Sequence, residues 1–436
     1  NISIRPIAVL LVSHAAEQTV TPTARALDQP PPEPSTEPTS AERLRVILVL
    51  GALIALGPLT IDMYLPALPS IVDDLNTSSA AVQLTLTGTL IGLAIGQLVI
   101  GPLSDIVGRR LPLIAGTAVH IVASLLCVVA PSVAMLGVFR GLQGLGAAAA
   151  AVVAMAVVRD LFTGRAAATV LSRLMLVMGV APVLAPSIGG GILLVGSWRW
   201  VFGALALLGV GLLVLAIFSL RESLPPERRR GRGIMPIVRT YGSLLRDGQF
   251  LVLVFVAALA MSALFAYIAG SSFALQEEFG LNEQQFAIVF SLGAIALIGA
   301  SQFNVVVLGH FTPVRIVIAA LAAALAAAVV MAFLSLAGLG GILGFLIPLW
   351  FVLGAVGFVM PNAPALALTR HGEAAGTAAA LLGAAQFGFG AIIAPVVGVL
   401  GNDAVAVSVT MVGVSATALV ALTAVTLRTR RATNEV

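Results

Sequence analysis

One carboxylate, Asp62, lies inside an apolar run of the sequence, LGPLTIDMYLP at residues 56–66. An ionisable side chain costs about 2.5–3.5 kcal/mol to place at the centre of a membrane helix, so such residues are usually functional. Burial favours the protonated form of a carboxyl, and Pro58 and Pro66 each deprive a carbonyl of its helical donor. We expect Asp62 to bind and release a proton; the alternative is a structural role in which it satisfies a neighbouring group.

One basic residue, Arg140, lies deep in another apolar run, FRGLQGLGAAAAA. A buried guanidinium needs a partner, which here is Asp62, an anionic substrate or backbone carbonyls. Because a nearby cation favours the ionised carboxylate, movement of Arg140 relative to Asp62 would act as a switch. The alternative is that Arg140 only clamps helices together. His120, in a third apolar run, is interpreted as a packed neutral side chain.

The segment GPLSDIVGRRLP, residues 101–112, places a carboxylate and two arginines between two apolar runs. We expect Asp105 to lie at the start of a helix near residues 371–377, where an anion gains about 0.3–1 kcal/mol. Arg109 or Arg110 is expected to pair with Asp160, in contacts that form in one conformation and break in another. The alternative is simple anchoring of a basic loop at the membrane surface. The predicted gate cluster comprises Gly101, Asp105, Gly108, Arg109, Arg110 and Asp160.

The run GVAPVLAPSIGGG places two prolines four residues apart, ahead of three glycines. Prolines bend a helix and glycines let neighbouring helices approach closely. This helix is therefore predicted to change its bend between conformations. The residues of this helix-bend motif are Pro182, Pro186, Gly189 and Gly190.

The composition indicates that these runs are membrane helices. The 436 residues are 59% hydrophobic and 10% charged, with a mean hydropathy of +1.08, which is not typical of a water-soluble domain. Lipid does not tolerate unpaired backbone groups, and long Ala-, Leu- and Val-rich runs favour helices over a barrel. The predicted fold class is an all-α membrane protein. The chain lacks lysine, which excludes a P-loop lysine, and we expect no enzymatic activity, no metal, no cofactor other than protons and no nucleic-acid partner.

Twelve spans are predicted, in two groups of six separated by the basic linker 221–248. The N-terminal six-helix bundle is expected at 46–220 and the C-terminal bundle at 249–427. Residues 1–45 contain a stretch rich in Pro, Glu, Ser and Thr and are predicted to be a disordered cytoplasmic tail, in preference to a signal peptide; residues 428–436 form a second tail. The spans are placed at 46–68, 82–102, 112–130, 134–157, 168–193, 199–220, 250–272, 284–308, 314–336, 341–366, 374–399 and 404–427.

Charge and internal similarity indicate how the spans are arranged. Arginines are concentrated in alternate loops and carboxylates in the others, so both termini are predicted to be cytoplasmic. The segments DMYLPALPSIVDDLNTSSAAV and FAYIAGSSFALQEEFGLNEQQF are similar at an offset of roughly 205 residues. Parallel repeats of six helices place a substrate cavity at their interface near the membrane midplane. The sequence therefore predicts two pseudo-symmetric bundles with the architecture of a transporter.

Several sequence motifs, and the order in which they follow one another, resemble those of the major facilitator superfamily, and most of all those of the Bcr/CflA group of its twelve-span drug:proton antiporters. The resemblance covers about residues 46–430. Two positions depart from the family pattern: Ile106 follows the loop aspartate where Arg is usual, and Ala185 replaces a Gly in the fifth span. The motifs are GPLTIDMYLPALP, the GxLxDxxGRR loop at Gly101 to Arg110, RGLQGLGAA, APVLAPSIGG followed by WRWVF, MPNAPALAL and GTAAALLGAAQFGFG.

The resemblance implies proton-driven efflux of small amphipathic drug-like molecules, such as chloramphenicol or bicyclomycin, by alternating access. It assigns proton coupling to Asp62 and Arg140 and gating to Asp105 and Arg109. A monomer in the bacterial inner membrane is expected, moving one proton per cycle because one buried acid is evident. Alternatives are export of a metabolite, such as an amino acid or a sugar, and a membrane receptor that transports nothing.

Candidate substrate contacts are aromatic and amide side chains expected to face the interface between the bundles. Such side chains combine an apolar surface with hydrogen-bonding groups, which suits drug-like ligands. Core packing explains each of them about as well. They are Tyr64, Gln143, Tyr267, Asn362, Gln386 and Phe387.

Overall fold

The structure is a computed structural model that describes residues 40–229, 235–371 and 374–434. The predicted N-terminal tail up to residue 39, linker residues 230–234 and the last two residues of the predicted C-terminal tail lie outside these ranges. The described chain is built from α-helices: α1 Ser40–Asp62, α2 Leu68–Asp74, α3 Ser79–Val107, α4 Arg110–Val128, α5 Val133–Leu161, α6 Gly164–Leu193, α7 Trp198–Ser219, α8 Met235–Leu244, α9 Gly248–Phe273, α10 Glu283–Leu308, α11 Pro313–Leu336, α12 Gly341–Leu368, α13 Ala375–Leu400 and α14 Ala404–Asn434.

Twelve segments of the described chain are long and apolar enough to cross a membrane, which confirms the predicted number. The first, Leu44–Asp74, and the seventh, Gly248–Glu278, run past their predicted ends at 68 and 272. Helices continue beyond the hydrocarbon layer, whereas the apolar pattern marks only the part that crosses it. Large apolar side chains such as Val399 and Phe218 are 83% and 77% exposed, as expected of surfaces that contact lipid.

The spans pack into two sets of helices that also contact each other. In the first half of the chain α3 and α4 pack on α5, and α4 packs on α7. In the second half α9 packs on α12, α13 and α14, and α11 packs on α12 and α14. Contacts of α3 with α13 and of α6 with α10 join the halves, and the chain from Leu44 onward is one compact unit. The predicted limits of the two bundles therefore stay predictions.

Small residues bring α3 and α5 into close contact. A Cβ atom at Gly92 would overlap the carbonyl oxygen of Gly141, and one at Gly144 would overlap that of Thr89. Membrane helices associate through such small-residue contacts because their backbones can approach closely. This packing fixes the position of α5, the helix that carries Arg140.

The first span departs from regular helix at Asp62, where α1 ends. A 3₁₀ turn at Leu65–Ala67 and the short α2 complete the span. Pro58 lies inside α1, which continues past it, so only the region of Pro66 leaves α-helical geometry. The last carbonyl groups of a helix lack partners in that helix, so the carbonyl of Thr60 is available for another donor.

Candidate functional site

Asp62 and Arg140, the two charged residues singled out in the apolar spans, are near enough to interact in the first half of the chain. Asp62 is 3% exposed and Arg140 is fully buried. The two side chains interact electrostatically, yet they form no ion pair within 4.0 Å. Oδ1 of Asp62 has no hydrogen-bond partner among the described residues. A buried carboxylate without a partner is costly, which makes this position suited to binding a proton.

The guanidinium of Arg140 is held mainly by neutral groups. Its Nη1 donates to the Thr60 carbonyl oxygen at 2.8 Å and to Oε1 of Gln143 at 2.7 Å. Its Cζ lies 4.0 Å from the centroid of the Tyr64 ring and 5.6 Å from that of Phe202. The end of α1 carries a partial negative charge, and aromatic faces attract cations, so each contact favours the charged guanidinium. Nε and Nη2 have no partner in the described structure.

Further polar side chains extend these contacts to α4. Nε2 of Gln143 donates to Oγ of Ser124 at 2.7 Å, and that hydroxyl donates to the His120 carbonyl at 2.7 Å. Nε2 of His120 lies 2.9 Å from Oγ1 of Thr60. Thr60 and Ser124 were not among the predicted site residues, and His120 was interpreted as packing. The signal for His120 and Ser124 was a pair of polar residues four positions apart in an apolar span.

Tyr64 and Tyr267, two of the candidate substrate contacts, lie near this centre. Tyr267 on α9 interacts electrostatically with Asp62. Its ring stacks on Phe290 with centroids 4.9 Å apart, and its hydroxyl has no partner in the described structure. The hydroxyl of Tyr64 lies 3.5 Å from Oγ1 of Thr85. The site therefore combines a polar group from the second half with the charged pair of the first.

Asn362, Gln386 and Phe387 occupy other positions in the second half. Asn362 on α12 is buried, and its Nδ2 donates to Oδ1 of Asn304 at 2.7 Å and to the Phe358 carbonyl at 2.8 Å. Phe387 packs against Phe265 with ring centroids 6.0 Å apart. Gln386 lies half-buried on α13. Asn304 was missed; its signal was a second amide, two residues after Gln302, near the end of an apolar span.

The gate cluster is assembled around Arg109. Its guanidinium contacts Oδ1 of Asp105 at 2.6 Å, Oδ2 of Asp160 at 2.8 Å and Oγ of Ser104 at 2.7 Å. Arg109, rather than Arg110, is therefore the partner of Asp160, and Arg110 donates from Nη2 to the carbonyl of Ile217 at 2.9 Å. The hydroxyl of Ser104 in turn donates to the Gly101 carbonyl at 2.8 Å.

The expected position of Asp105 beside the start of the eleventh span stays a prediction. Residues 372–373 of that segment lie outside the described ranges, and α13 begins at Ala375.

Glu222, at the start of the linker, is a further partner of this cluster and was not among the predicted residues. Its carboxylate accepts from the backbone nitrogens of Arg109 at 2.8 Å and Arg110 at 3.2 Å, at the first turn of α4. Gly108 precedes them with φ of +100°, and a side chain there would collide with this carboxylate. Desolvation acts to raise the pKa of Glu222, but hydrogen bonds from backbone amides and the charge of Arg229 lower it overall.

The residues of the helix-bend motif lie on α6, which contacts the end of α1 in the first half and α10 in the second. Pro182 and Pro186 lie inside α6, which continues to Leu193. A Cβ atom at Gly189 would overlap the Met63 carbonyl oxygen, next to Asp62. The carbonyl of Gly190 accepts from Nε2 of Gln284 on α10 at 3.2 Å. The predicted change in bend stays a prediction; Gly189 places α6 against the end of α1, and Gly190 lies against α10.

At the end of the molecule opposite the gate cluster, hydrogen bonds join the two halves. Oγ of Ser272 donates to the Leu65 carbonyl at 2.7 Å, and Nε2 of Gln276 donates to the Pro66 carbonyl at 3.2 Å. Nε2 of Gln83 donates to the Ala269 carbonyl at 2.8 Å. The irregular backbone that follows Asp62 therefore supplies acceptors for side chains of the other half.

Known proteins show similarity along most of this chain. The family described as Major Facilitator Superfamily matches residues 50–395. A Bacillus subtilis protein, "Uncharacterized MFS-type transporter YdgK", is 38% identical over 377 residues, which cover 85% of this chain and 92% of that protein. The "Bicyclomycin resistance protein homolog" of Haemophilus influenzae is 33% identical over 372 residues, covering 83% and 90%. The structure of the xylose transporter XylE from E. coli, in a partially occluded inward open conformation, superposes with a TM-score of 0.68 at 15% identity, covering 87% of this chain and 97% of that one; it supports the fold alone.

Proposed function

Because the chain belongs to the major facilitator superfamily and is thus a membrane transporter, we propose that it exports small amphipathic drug-like molecules in exchange for protons. The similarity to a bicyclomycin resistance protein homolog supports a drug-like substrate. The observation that carries proton coupling is the buried Asp62, which lies beside Arg140 and whose Oδ1 has no hydrogen-bond partner in the described part of the chain. We place the protein in the bacterial inner membrane, with both termini in the cytoplasm and a monomer as the working unit.

The geometry gives Asp62 and Arg140 complementary roles. While neutral acceptors and aromatic rings hold the guanidinium, Asp62 is not neutralised by an ion pair, so protonation removes the cost of its buried charge. When Arg140 approaches Asp62, or when substrate separates Arg140 from its present partners, the carboxylate is stabilised and the proton leaves. Each proton that enters the cell supplies about 2.3 kcal/mol per 100 mV of membrane potential and about 1.4 kcal/mol per pH unit.

The gate cluster supplies the conformational part of the cycle. The ion pairs of Arg109 with Asp105 and Asp160 tie the loop after α3 to the end of α5. Contacts of this kind hold one state and must break or rearrange in the other. The aromatic surfaces of Tyr64 and Tyr267 offer a drug-like molecule apolar contact beside the proton site.

Everted membrane vesicles test this proposal directly. In vesicles acidified by respiration, chloramphenicol should release protons from the lumen through the wild-type protein, as a pH-sensitive dye reports. Asp62→Asn should abolish the release, because a side-chain amide does not bind and release a proton in this pH range. The matched control is Asp73→Asn, which alters an exposed carboxylate of the same span and should behave as wild type. Unchanged proton release in Asp62→Asn would overturn the proposed coupling.

A further inference from the structure

We infer that His120 is a positioning residue for proton coupling, because it closes a ring of polar contacts that holds Arg140 away from Asp62. The inference rests on the proposed function and extends it to a side chain on α4 whose hydrogen bond reaches Thr60 rather than Asp62. The ring is defined as Thr60, His120, Ser124, Gln143 and Arg140.

The ring crosses three helices and returns to its starting residue. From Arg140 on α5, one path runs through the carbonyl of Thr60 on α1, and the hydroxyl of the same residue reaches His120 on α4. The other path runs from Arg140 to Gln143, then to Ser124, whose hydroxyl donates to the His120 carbonyl. His120 therefore joins both paths, one through its side chain and one through its backbone.

Hydrogen bonding assigns the tautomer of His120. The Thr60 hydroxyl donates to the Leu56 carbonyl at 2.6 Å, so it accepts at its contact with His120. Nε2 of His120 is therefore the protonated nitrogen, and Nδ1 has no partner in the described structure. A Cβ atom at Gly209 of α7 would lie 3.4 Å from Nδ1, so an apolar helix surface covers this nitrogen. This arrangement fixes His120 as a neutral donor to Thr60.

The ring affects Asp62 through the position of Arg140. Both Thr60 and Gln143 present acceptors to one nitrogen, Nη1, and these contacts set the orientation of the guanidinium. Loss of one link in the ring leaves the guanidinium of Arg140 freer to move. The carboxylate with which Arg140 already interacts electrostatically is Asp62. The other titratable groups that face this pair are Tyr64, Tyr267 and Cys127. A freed guanidinium moves towards the only carboxylate of this set and stabilises its ionised form.

The test measures protonation of Asp62 without requiring transport. A hydrophobic carbodiimide modifies buried carboxyl groups in their protonated form. Mass spectrometry of the peptide that contains Asp62, after labelling at a series of pH values, gives the midpoint, which is the pH at which labelling is half of its maximum. His120→Leu and Thr60→Val remove the same contact from its two sides, and each should move the midpoint about one pH unit towards acid. The double variant should shift it no further than either single change, since the two residues form one link. His120→Gln keeps a donor near the Nε2 position and should retain the wild-type midpoint.

The matched control is Thr117→Val on the same helix. Thr117 is buried, and its hydroxyl donates to the Leu113 carbonyl of its own helix, so this change should leave the midpoint in place. A wild-type midpoint in Thr60→Val, or an equal shift in Thr117→Val, overturns the inference even if His120→Leu fails to fold. Failure of the proposed function has a different signature: labelling of Asp62 would follow pH, but no drug would exchange for protons in the vesicles.

Discussion

The two halves of the transporter treat equivalent positions differently. In the similar segments that begin DMY and FAY, Tyr64 corresponds to Tyr267, whereas Asp62 corresponds to Phe265. The first half places Arg140, which the polar ring holds, near its carboxylate. The second half instead packs Phe265 near Phe387 and stacks Tyr267 on Phe290. Among the residues that the structure describes, a buried acid thus occurs only in the repeat that also supplies a cation and several acceptors.

The loops at one end of the halves show the same contrast. The loop between α3 and α4 carries Arg109, with Asp105, Asp160 and Glu222 around it. The corresponding connection between α10 and α11 contains His310, whose Nδ1 contacts a backbone carbonyl. At these two positions the charged groups therefore belong to the first half, whereas the ion pair of Asp247 with Arg370 lies in the second. We expect the first half to respond to protons and the second half to contribute mainly apolar and amide contacts.

The largest effect should come from removing the buried cation. Arg140→Met deprives the Thr60 carbonyl and Gln143 of their donor and leaves Asp62 without its positive neighbour, so the free energy of unfolding should fall by about 3 kcal/mol and export should be lost. Arg140→Lys should not restore export, because an ammonium does not reproduce the planar contacts of a guanidinium. Thermal unfolding in detergent and drug susceptibility of an efflux-deficient host measure both effects. Arg173→Met, at an exposed position of α6, is the control.

An intermediate effect is expected from the amide pair of the second half. Asn362→Leu leaves Oδ1 of Asn304 without its donor, which should lower the free energy of unfolding by about 2 kcal/mol. The double variant Asn304→Leu/Asn362→Leu removes both polar groups and should recover part of this loss. Drug export should weaken while the number of protons per drug stays constant. A change in the number of protons per drug would contradict the assignment of proton coupling to the first half.

A smaller, pH-dependent effect is expected at Glu222. Its pKa in the folded protein is lowered from the ordinary value of 4.5, so its ionised form stabilises the fold above that value. The stabilisation is lost as the pH falls through the lowered pKa. Glu222→Gln should therefore cost about 0.5 kcal/mol at pH 7 after solvent screening, and this cost should shrink as the pH falls below about 4.5. Thermal unfolding at several pH values measures it, with exposed Glu227→Gln as a control that shows no such trend.

The spans and the buried charges could be predicted from the sequence, because lipid constrains each stretch of about 20 residues independently of the rest of the chain. A run of about 20 apolar residues is sufficient to predict a span, and an isolated charge within one marks a site, as at Asp62 and Arg140. The twelve spans and the family resemblance are confirmed by the structure and by the similar proteins.

Partners were harder to predict, because hydrogen bonds between helices depend on helix rotation and on distant chain segments. The link from His120 to Thr60 joins residues 60 positions apart, and that from Glu222 to Arg109 joins residues 113 positions apart. Neither pair has a motif of its own. The choice of Arg109 over Arg110 for Asp160 likewise depends on the backbone turn at Gly108, which the pattern of charges does not specify.

Infrared difference spectroscopy of the Asp62 carboxyl tests the central claim most directly. Spectra of the reconstituted protein, recorded across a pH series with and without chloramphenicol, separate the protonated carboxyl band from the carboxylate bands, and Asp62→Asn identifies the contribution of this residue. We predict that Asp62 gains a proton as the pH falls and that substrate releases it. A carboxyl that stays ionised, or stays protonated, under all of these conditions would contradict proton coupling through Asp62.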